Sequence, residues 1–432
     1  MNATLTLVPA PAPAAPVAPV AVPTVLFVES RRATFTDHVL ARDDVDVVLL
    51  RFDSVPLSEE YVERTAHVPT FTLNTSAPLE EEAARYLRWV KGTPALPRPR
   101  FFCNPNEALQ ADAQRFAELV DLPHLSQEQV GWVRDKTTMK DRYAELGIPH
   151  ARYRAVTSKQ DVVDFGEESG WPVILKPVDA DSCIGTYRLD TPADVAAVPD
   201  LDPALEWMAE EYIKGQEFQL CAVIARGVVL DAYLSKNPVP ILEVLDGKIN
   251  ANITYAPSEE IPVDARELAQ RLTDGLAIPH GYLHGEFFLK EDGSFVMSEV
   301  AARLSGCEVP MNHGLAYGFD FLHTILDTYL DRVPHPRYTR DRAVGDLLLP
   351  TRAGRVTHIS TEKELLRLPG VIGAHLTAAV GDVLDPPRAS HASTGYVHVE
   401  GATAAEVERR MHAVLRHFEL TVADETGAGS AS

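Results

Sequence analysis

Apolar runs of strand length alternate with helical patterns at the start of the chain. Thr24 to Ser30 (TVLFVES) and Val45 to Phe52 (VDVVLLRF) read as short buried strands, and Val68 to Leu73 as a weaker third. Helical patterns lie between and after them, so this stretch predicts a parallel α/β unit. No Gly-x-Gly-x-x-Gly occurs there, which leaves a dinucleotide site without support. Ser126 with Gln129 has the form of a capping box and predicts one helix running toward Leu146, ended by Gly147-Ile148-Pro149. Ser158 and Asp161 open another short helix with Gly170 near its end. Trp171 to Lys176 (WPVILK) is a buried strand finishing in a lysine, and Pro177 stops it. Glu210 to Ile213 leads through Lys214-Gly215 into a hairpin of Glu217 to Ile224 and Val228 to Ser235, turning at Arg226-Gly227. A second hairpin spans Tyr282 to Val300. After Tyr338 come short strands, many glycines and a helix capped by Thr403 and Glu406, which predicts a small C-terminal α+β domain.

Length and charge narrow the function. A chain of 432 residues has room for several packed domains. Its net charge of −22 repels phosphate backbones, so general nucleic-acid binding is not expected. A local basic pocket with a metal ion still suffices for a nucleoside triphosphate. The four cysteines, Cys103, Cys183, Cys221 and Cys307, show no CxxC or zinc-like spacing and are expected as free, mostly buried thiols of a reducing cytoplasm. Met1 to Pro23 is rich in Ala, Pro and Val without a basic leader, so it reads as a disordered tail. No apolar run reaches the roughly 18 residues of a membrane span, and no membrane partner is expected.

The segment Glu286-FFLKEDGSFVMS-Glu299 carries the most chemistry. With Asp292-Gly293 as a two-residue turn, Glu291 faces Ser294, Glu286 faces Glu299 and His284 faces Ala301. Opposed carboxylates lie about 5 Å apart at Cβ and repel unless a cation sits between them. A hard cation such as Mg²⁺ takes oxygen ligands at about 2.1 Å, often one or two carboxylates plus phosphate oxygens. The alternative is two solvated glutamates, but the same face is expected to hold His284, Phe288, Phe295 and Met297, which is no wet surface. Arg303 continues the alternation and is suited to clamp a carboxylate or phosphoryl oxygen bidentately. Ser305-Gly306 adds small residues and backbone N–H groups beside it.

Taken together and in order, several segments resemble the ATP-grasp superfamily. Arg134-Asp135-Lys136 ahead of Gly147-Ile148-Pro149 is similar to its first nucleotide-side lysine motif, and Val173-Ile174-Leu175-Lys176-Pro177 to its second. Ala209 to Glu217 (AEEYIKGQE) resembles the adenine hinge followed by the ribose-binding glutamate. His284-Gly285-Glu286 and Glu299-Val300-Ala301-Ala302-Arg303 resemble the metal and catalytic strands. Within the superfamily the likeness is to amino-acid and dipeptide ligases, including carnosine synthase and bacilysin-type L-amino acid ligases. The order and spacing agree over about residues 130 to 330, and residues 354 to 399 resemble the C-terminal domain of those ligases. The first hundred residues match only in pattern.

The resemblance implies an α/β and α+β architecture: an ATP-grasp fold with a Rossmann-like N-terminal domain, a lid and a small C-terminal α+β domain. The expected divisions are a tail at 1–23, the N-terminal domain at 24–134, the ATP-grasp domain at 135–338 with a lid near 151–214, the C-terminal domain at 339–422 and a second tail at 423–432. It implies ATP with Mg²⁺ (or Mn²⁺). Lys136 and Lys176 would neutralise the triphosphate, which point charges suit. The backbone around Glu211, Tyr212 and Ile213 would read the adenine edge, Glu210 is counted with them as nucleotide-binding, and Glu217 would accept from the ribose. Glu286 and Glu299 would hold the metal. Arg303, helped by Lys176, Ser305 and Gly306, would stabilise an acyl phosphate and the tetrahedral intermediate after it.

Two departures stand out. The loop Asp179 to Gly185 (DADSCIG) has one glycine, so Ser182 and Cys183 read either as phosphate contacts or, for Cys183, as a small packing residue. Ala301 stands where many relatives place a metal-binding asparagine, and His284 opposite it reads as a phosphate or substrate contact or as a structural histidine. The implied activity is ATP-dependent joining of a small-molecule carboxylate to an amine, with amino acids or a peptide as substrates. Relatives are often dimers, which leaves a homodimer as one option and the oligomeric state open. Carboxylation, phosphoryl transfer without ligation, and ATP binding without turnover are the competing readings.

Overall fold

In the computed structural model, residues 22–29, 33–180, 183–246, 248–387 and 389–423 are described. The two tails fall outside these residues, apart from Val22, Pro23 and Ala423. The N-terminal strands form the expected parallel unit. Thr24–Val28 lies between Asp46–Phe52 and Phe101–Cys103, and Thr70–Leu73 completes the sheet. The helices Ala33–Leu40, Glu59–Thr65 and Leu79–Gly92 follow the first three strands and make the crossovers that parallel pairing requires.

The helix expected from Ser126 to Leu146 is two helices, Gln127–Arg134 and Lys136–Glu145. Asp135 breaks it. Its carboxylate accepts from Thr138 N at 2.7 Å and caps the second helix, so its own backbone is extended. The break aims Lys136 and Lys140 off one face of a fresh helix start. A four-stranded antiparallel sheet follows, ordered Tyr153–Val156, Trp207–Glu211, Val173–Pro177 and Tyr187–Leu189. It places Lys176 beside the segment carrying Glu210.

The largest sheet has eight strands, in the order Phe295–Ala301, His280–Leu289, Gln216–Ala225, Val228–Lys236, Ala251–Thr254, Ala343–Leu348, Gly395–Gly401, Val371–Leu376. The expected boundary at residue 339 is thus no break between sheets, because C-terminal strands extend the central one edge to edge. Its opposite face packs apolar side chains such as Phe218 and Phe287, whose rings stack at 5.4 Å. The hairpin at Arg226-Gly227 is as read: both residues have positive φ (52° and 74°), the backbone of a type I′ turn.

The second hairpin departs from the expected tip. Lys290 N donates to Ser294 O (2.8 Å) and Gly293 N to Lys290 O (3.0 Å), so the loop has three residues with Gly293 at φ 80°. Pairing near the tip is Leu289 with Phe295 and Phe287 with Met297, and Glu291 does not face Ser294. A bulge at Ser298 then restores the register, so Glu286 faces Glu299 and His284 faces Ala301. The shift turns Phe295 and Met297 to the other face, where they join Phe287 in the core. Among the described residues no helix is long and apolar enough to cross a membrane.

Candidate active site

The two large antiparallel sheets and the N-terminal domain enclose a cavity of about 900 Å³. Every expected site residue that the structure describes lines it: Lys136, Lys176, Cys183, Glu210, Glu211, Tyr212, Ile213, Glu217, His284, Glu286, Glu299, Arg303, Ser305 and Gly306. Ser182 lies outside the described residues.

A charged cluster sits where the sheets meet. Lys176 Nζ is 2.7 Å from Glu210 and 3.3 Å from Glu299, and Lys136 Nζ is 3.6 Å from Glu299. Lys136 also donates to Ala180 O at 2.5 Å. Sequence reasoning missed Lys140, which is fully buried and 2.9 Å from Glu210. Its signal was available, because a residue four positions after Lys136 shares that helix face. Burial opposes ionisation of Glu210, yet Lys140 and Lys176 overcome it and hold the carboxyl down at about 2. Glu299 is likewise held at about 2, its burial outweighed by Lys136 and Lys176. Burial also pulls the Lys140 ammonium down, against the pull of Glu210. Glu210 therefore holds two lysines in place, which differs from a direct adenine contact.

Arg303 is ion-paired with Glu107, a residue before the helix Gln110–Leu119 of the N-terminal domain. Arg134 Nη1 meets the same carboxylate at 2.9 Å. The two guanidiniums hold Glu107 below the usual carboxylate range despite its burial. Glu107 comes from an irregular stretch with no periodic signal and was not foreseen. His284 is buried, with Nε2 3.2 Å from Glu286 Oε1 and Nδ1 3.5 Å from Cys221 Sγ. Burial disfavours its charge, but Cys221 and Glu286 raise it to about 9. The buried Ser305 hydroxyl lies 4.0 Å from Cys221 Sγ.

At the other side, Glu217 accepts from Ile241 N at 2.8 Å, and burial together with Glu286 pushes it up to about 8. Glu211 binds Arg152 at 2.6 Å, and Arg188 lies over the Tyr212 ring at 4.4 Å, which fixes the strand end beside the cavity. Cys183 takes a positive φ of 59°, and burial pushes its thiol up to about 12, the state of an inert packing thiol. All four cysteines are free, with Cys103 and Cys221 buried and Cys183 and Cys307 half-buried.

The donor set fits a hard divalent cation. Glu286 and Glu299 present carboxylate oxygens from facing positions, and among the described residues His284 and the lysines are the ion-pair partners that compete for them. Ala301 adds no ligand.

Residues 141–306 match the model of the ATP-grasp domain, and residues 346–423 match L-amino acid ligase C-terminal domain 2. The chain is 23% identical over 303 residues to an L-arginine-specific L-amino acid ligase of Bacillus subtilis, covering 68% of this chain and 73% of that enzyme. It is 28% identical to a D-alanine–D-alanine ligase of Streptomyces griseus, over 39% of this chain and 47% of that enzyme. In fold it is similar to an L-amino acid ligase of Bacillus licheniformis, with a TM-score of 0.71 at 16% identity, covering 93% of this chain and 99% of the other. A carboxyaminoimidazole ribonucleotide synthase of Aspergillus clavatus, solved with ATP, gives a TM-score of 0.66 at 18% identity over 92% of this chain and 99% of that one.

Proposed function

We propose that this chain, which carries an ATP-grasp domain joined to an L-amino acid ligase C-terminal domain, is an ATP-dependent ligase forming an amide between a carboxylate and an amine. The observation that carries the reading is the meeting of Glu286 with Glu299, and of Glu299 with Lys136 and Lys176, beside Arg303 in one cavity. A site for phosphoryl transfer needs this combination of anionic metal ligands and phosphate-facing cations.

A carboxylate is a poor electrophile, and phosphorylation gives it a leaving group. Its oxygen attacks the γ-phosphorus of ATP, the bond to ADP breaks, and an acyl phosphate forms. The amine nitrogen then attacks the carbonyl carbon, the C–O bond to phosphate breaks, and amide and inorganic phosphate leave. Lys136 and Lys176 hold the phosphates as point charges, and Glu217 accepts from the ribose hydroxyls. Arg303 exchanges Glu107 for the substrate's developing negative charge, supported by the backbone N–H groups of Ser305 and Gly306. Glu286 and Glu299 would hold Mg²⁺ or Mn²⁺, which when bound offsets phosphate charge and polarises the transferred group. The sheet carrying Lys176 borders the cavity and, closing over bound substrates, would exclude the water that hydrolyses an acyl phosphate. Amino-acid substrates are supported by the names of the relatives, which are amino-acid ligases.

The test is incubation of the full chain with ATP, Mg²⁺ and paired amino acids. Amide, ADP and phosphate in equal amounts are expected. A phosphorylated or carboxylated product without amide would overturn the reading.

A further inference from the structure

Polar residues on the active-site face of the large sheet continue well beyond the nucleotide end. Glu299 faces Glu286, Glu286 faces Gln219, Gln219 faces Ser235, and Ser235 faces Thr254. Two residues back on that last strand, Asn252 faces Asp346, which faces His398. Alternate residues share a face, so these form one belt from the Phe295–Ala301 strand to the Gly395–Gly401 strand. Ser235, Thr254, Asn252 and Asp346 are all buried, an environment usually given to apolar side chains.

The far end of this belt lacks partners. Asp346 Oδ1 accepts from Asn312 at 2.6 Å, while its Oδ2 has no hydrogen-bond partner among the described residues. Asn252 Oδ1, directly opposite, has none either. Facing residues stand about 5 Å apart at Cβ, so the two side chains with unmatched oxygens are neighbours on this face. Both residues line the cavity. Among the described residues, the lysines and arginine that line it, Lys136, Lys140, Lys176 and Arg303, are engaged with Glu299, Glu210 or Glu107 at the other end. His398, pulled down to about 4 by burial, brings no positive charge, and Glu308 nearby adds a negative one. Burial, with Glu308 adding to it and Asn312 opposing, pushes Asp346 up to about 7, as expected of a carboxyl awaiting a cation.

We propose that Asp346 and Asn252 form a cation subsite that binds an ammonium or guanidinium group at the end of the substrate remote from its reacting carboxyl. Asp346 stands four strands from Glu286, roughly 19 Å along the sheet at about 4.8 Å per strand, and sheet curvature shortens the path. An α-ammonium, one carbon from the reacting carboxyl, stays near Arg303. A basic side chain or the amino end of a short peptide extends toward Asp346. This inference rests on the ligase reading and names the substrate class of that same cavity.

The test uses the full chain with ATP and Mg²⁺ and a fixed set of amine partners. L-arginine is compared with L-citrulline, L-lysine with L-norleucine, and glycylglycine with its N-acetyl form. The expected result is that the charged member of a pair is favoured by about a hundredfold in kcat/KM. Preference within the amino-acid pairs assigns the subsite to a side chain, and preference within the peptide pair assigns it to an amino terminus. Asp346→Asn is expected to remove that preference while leaving the KM for ATP unchanged. Equal use of neutral and charged members overturns the subsite and leaves the ligase reading intact, as does an Asp346→Asn enzyme that keeps the preference. Should that variant fail to fold, the wild-type comparison still decides. If no pair releases ADP, the ligase reading fails instead. The subsite is then judged by calorimetric binding of L-arginine, L-lysine and glycylglycine against their neutral counterparts, where equal affinity within every pair overturns it.

Discussion

Replacing Glu210 by Gln removes a charge and keeps the shape, and the structure sets the size of the effect. Glu210 is 8% exposed and stands between Lys140 at 2.9 Å and Lys176 at 2.7 Å. In the variant Lys176 retains Glu299 at 3.3 Å, but Lys140 loses its paired carboxylate and keeps neutral acceptors, Ser298 O at 3.4 Å and the introduced amide oxygen, with Glu299 farther off. Breaking a buried pair by removing one partner destabilises by about 3–5 kcal/mol. The carboxyl itself gives a consistent figure: holding it at about 2 instead of 4.5 corresponds to roughly 3 kcal/mol. A loss of roughly 3 kcal/mol lowers Tm by roughly 3–4 °C at neutral pH for a chain of this length. The pH profile carries the sign. A carboxyl depressed in the folded state stabilises fully above about pH 4.5, and that contribution fades as pH falls toward 2. The wild-type chain therefore loses stability in that window, and the Gln variant loses less of it, with Glu299 supplying the rest. Thermal and urea denaturation between pH 2 and 7 read both effects. Adding Lys140→Met to the variant removes the stranded ammonium and recovers at least half of the deficit. A Glu210→Gln protein within 1 kcal/mol (approximately) of wild type at pH 7 would refute the view that Glu210 anchors the lysines.

Other consequences follow from the same site. Glu299→Gln leaves the fold intact but lowers ADP release by at least about a thousandfold, since it removes one of two facing carboxylates and a partner of both phosphate lysines. Unchanged turnover would remove the metal assignment. Glu217→Gln raises the KM for ATP by about tenfold with kcat nearly constant, because a ribose contact is made equally in ground and transition states. A fall in kcat alone would move Glu217 into the chemical step. Chelation with EDTA abolishes ADP release, and Mg²⁺ or Mn²⁺ restores it. Full activity in the chelator would contradict the carboxylate pair as a cation site.

The site's nucleotide end was legible because its residues sit in local patterns. Lys176 closes an apolar strand, Glu217 opens a hairpin strand, and Glu286 and Glu299 flank a turn short enough for their pairing to be counted. Even there the count succeeded through two offsetting features, a longer loop and the bulge at Ser298. Apolar residues were misassigned between them: Phe295 and Met297 lie in the stretch where the register is shifted by one and side chains change face. The helix break at Asp135 was legible in retrospect, because an aspartate three residues before Thr138 is a cap in its own right.

What the sequence could not supply was the pairing of distant strands. Asn252, Asp346 and His398 lie far apart along the chain, and nothing local marks Asn252 and Asp346 as cavity residues. They meet because C-terminal strands add to the central sheet at its Ala251–Thr254 edge, so each faces the next across a ladder bond. The same extension explains why the cavity has two electrical ends. Lys136, Lys176, Glu286 and Glu299 gather at one side, where the proposed triphosphate and metal would be held. Strands of the C-terminal domain bring Asp346 to the other, where among the described residues its Oδ2 has no hydrogen-bond partner. Asp346 has Asn312 on one oxygen, but its Oδ2 is unmatched among the described residues, and a buried polar atom without a hydrogen bond costs stability. Its persistence beside a second unmatched acceptor is explained most simply by a ligand that supplies the missing donors.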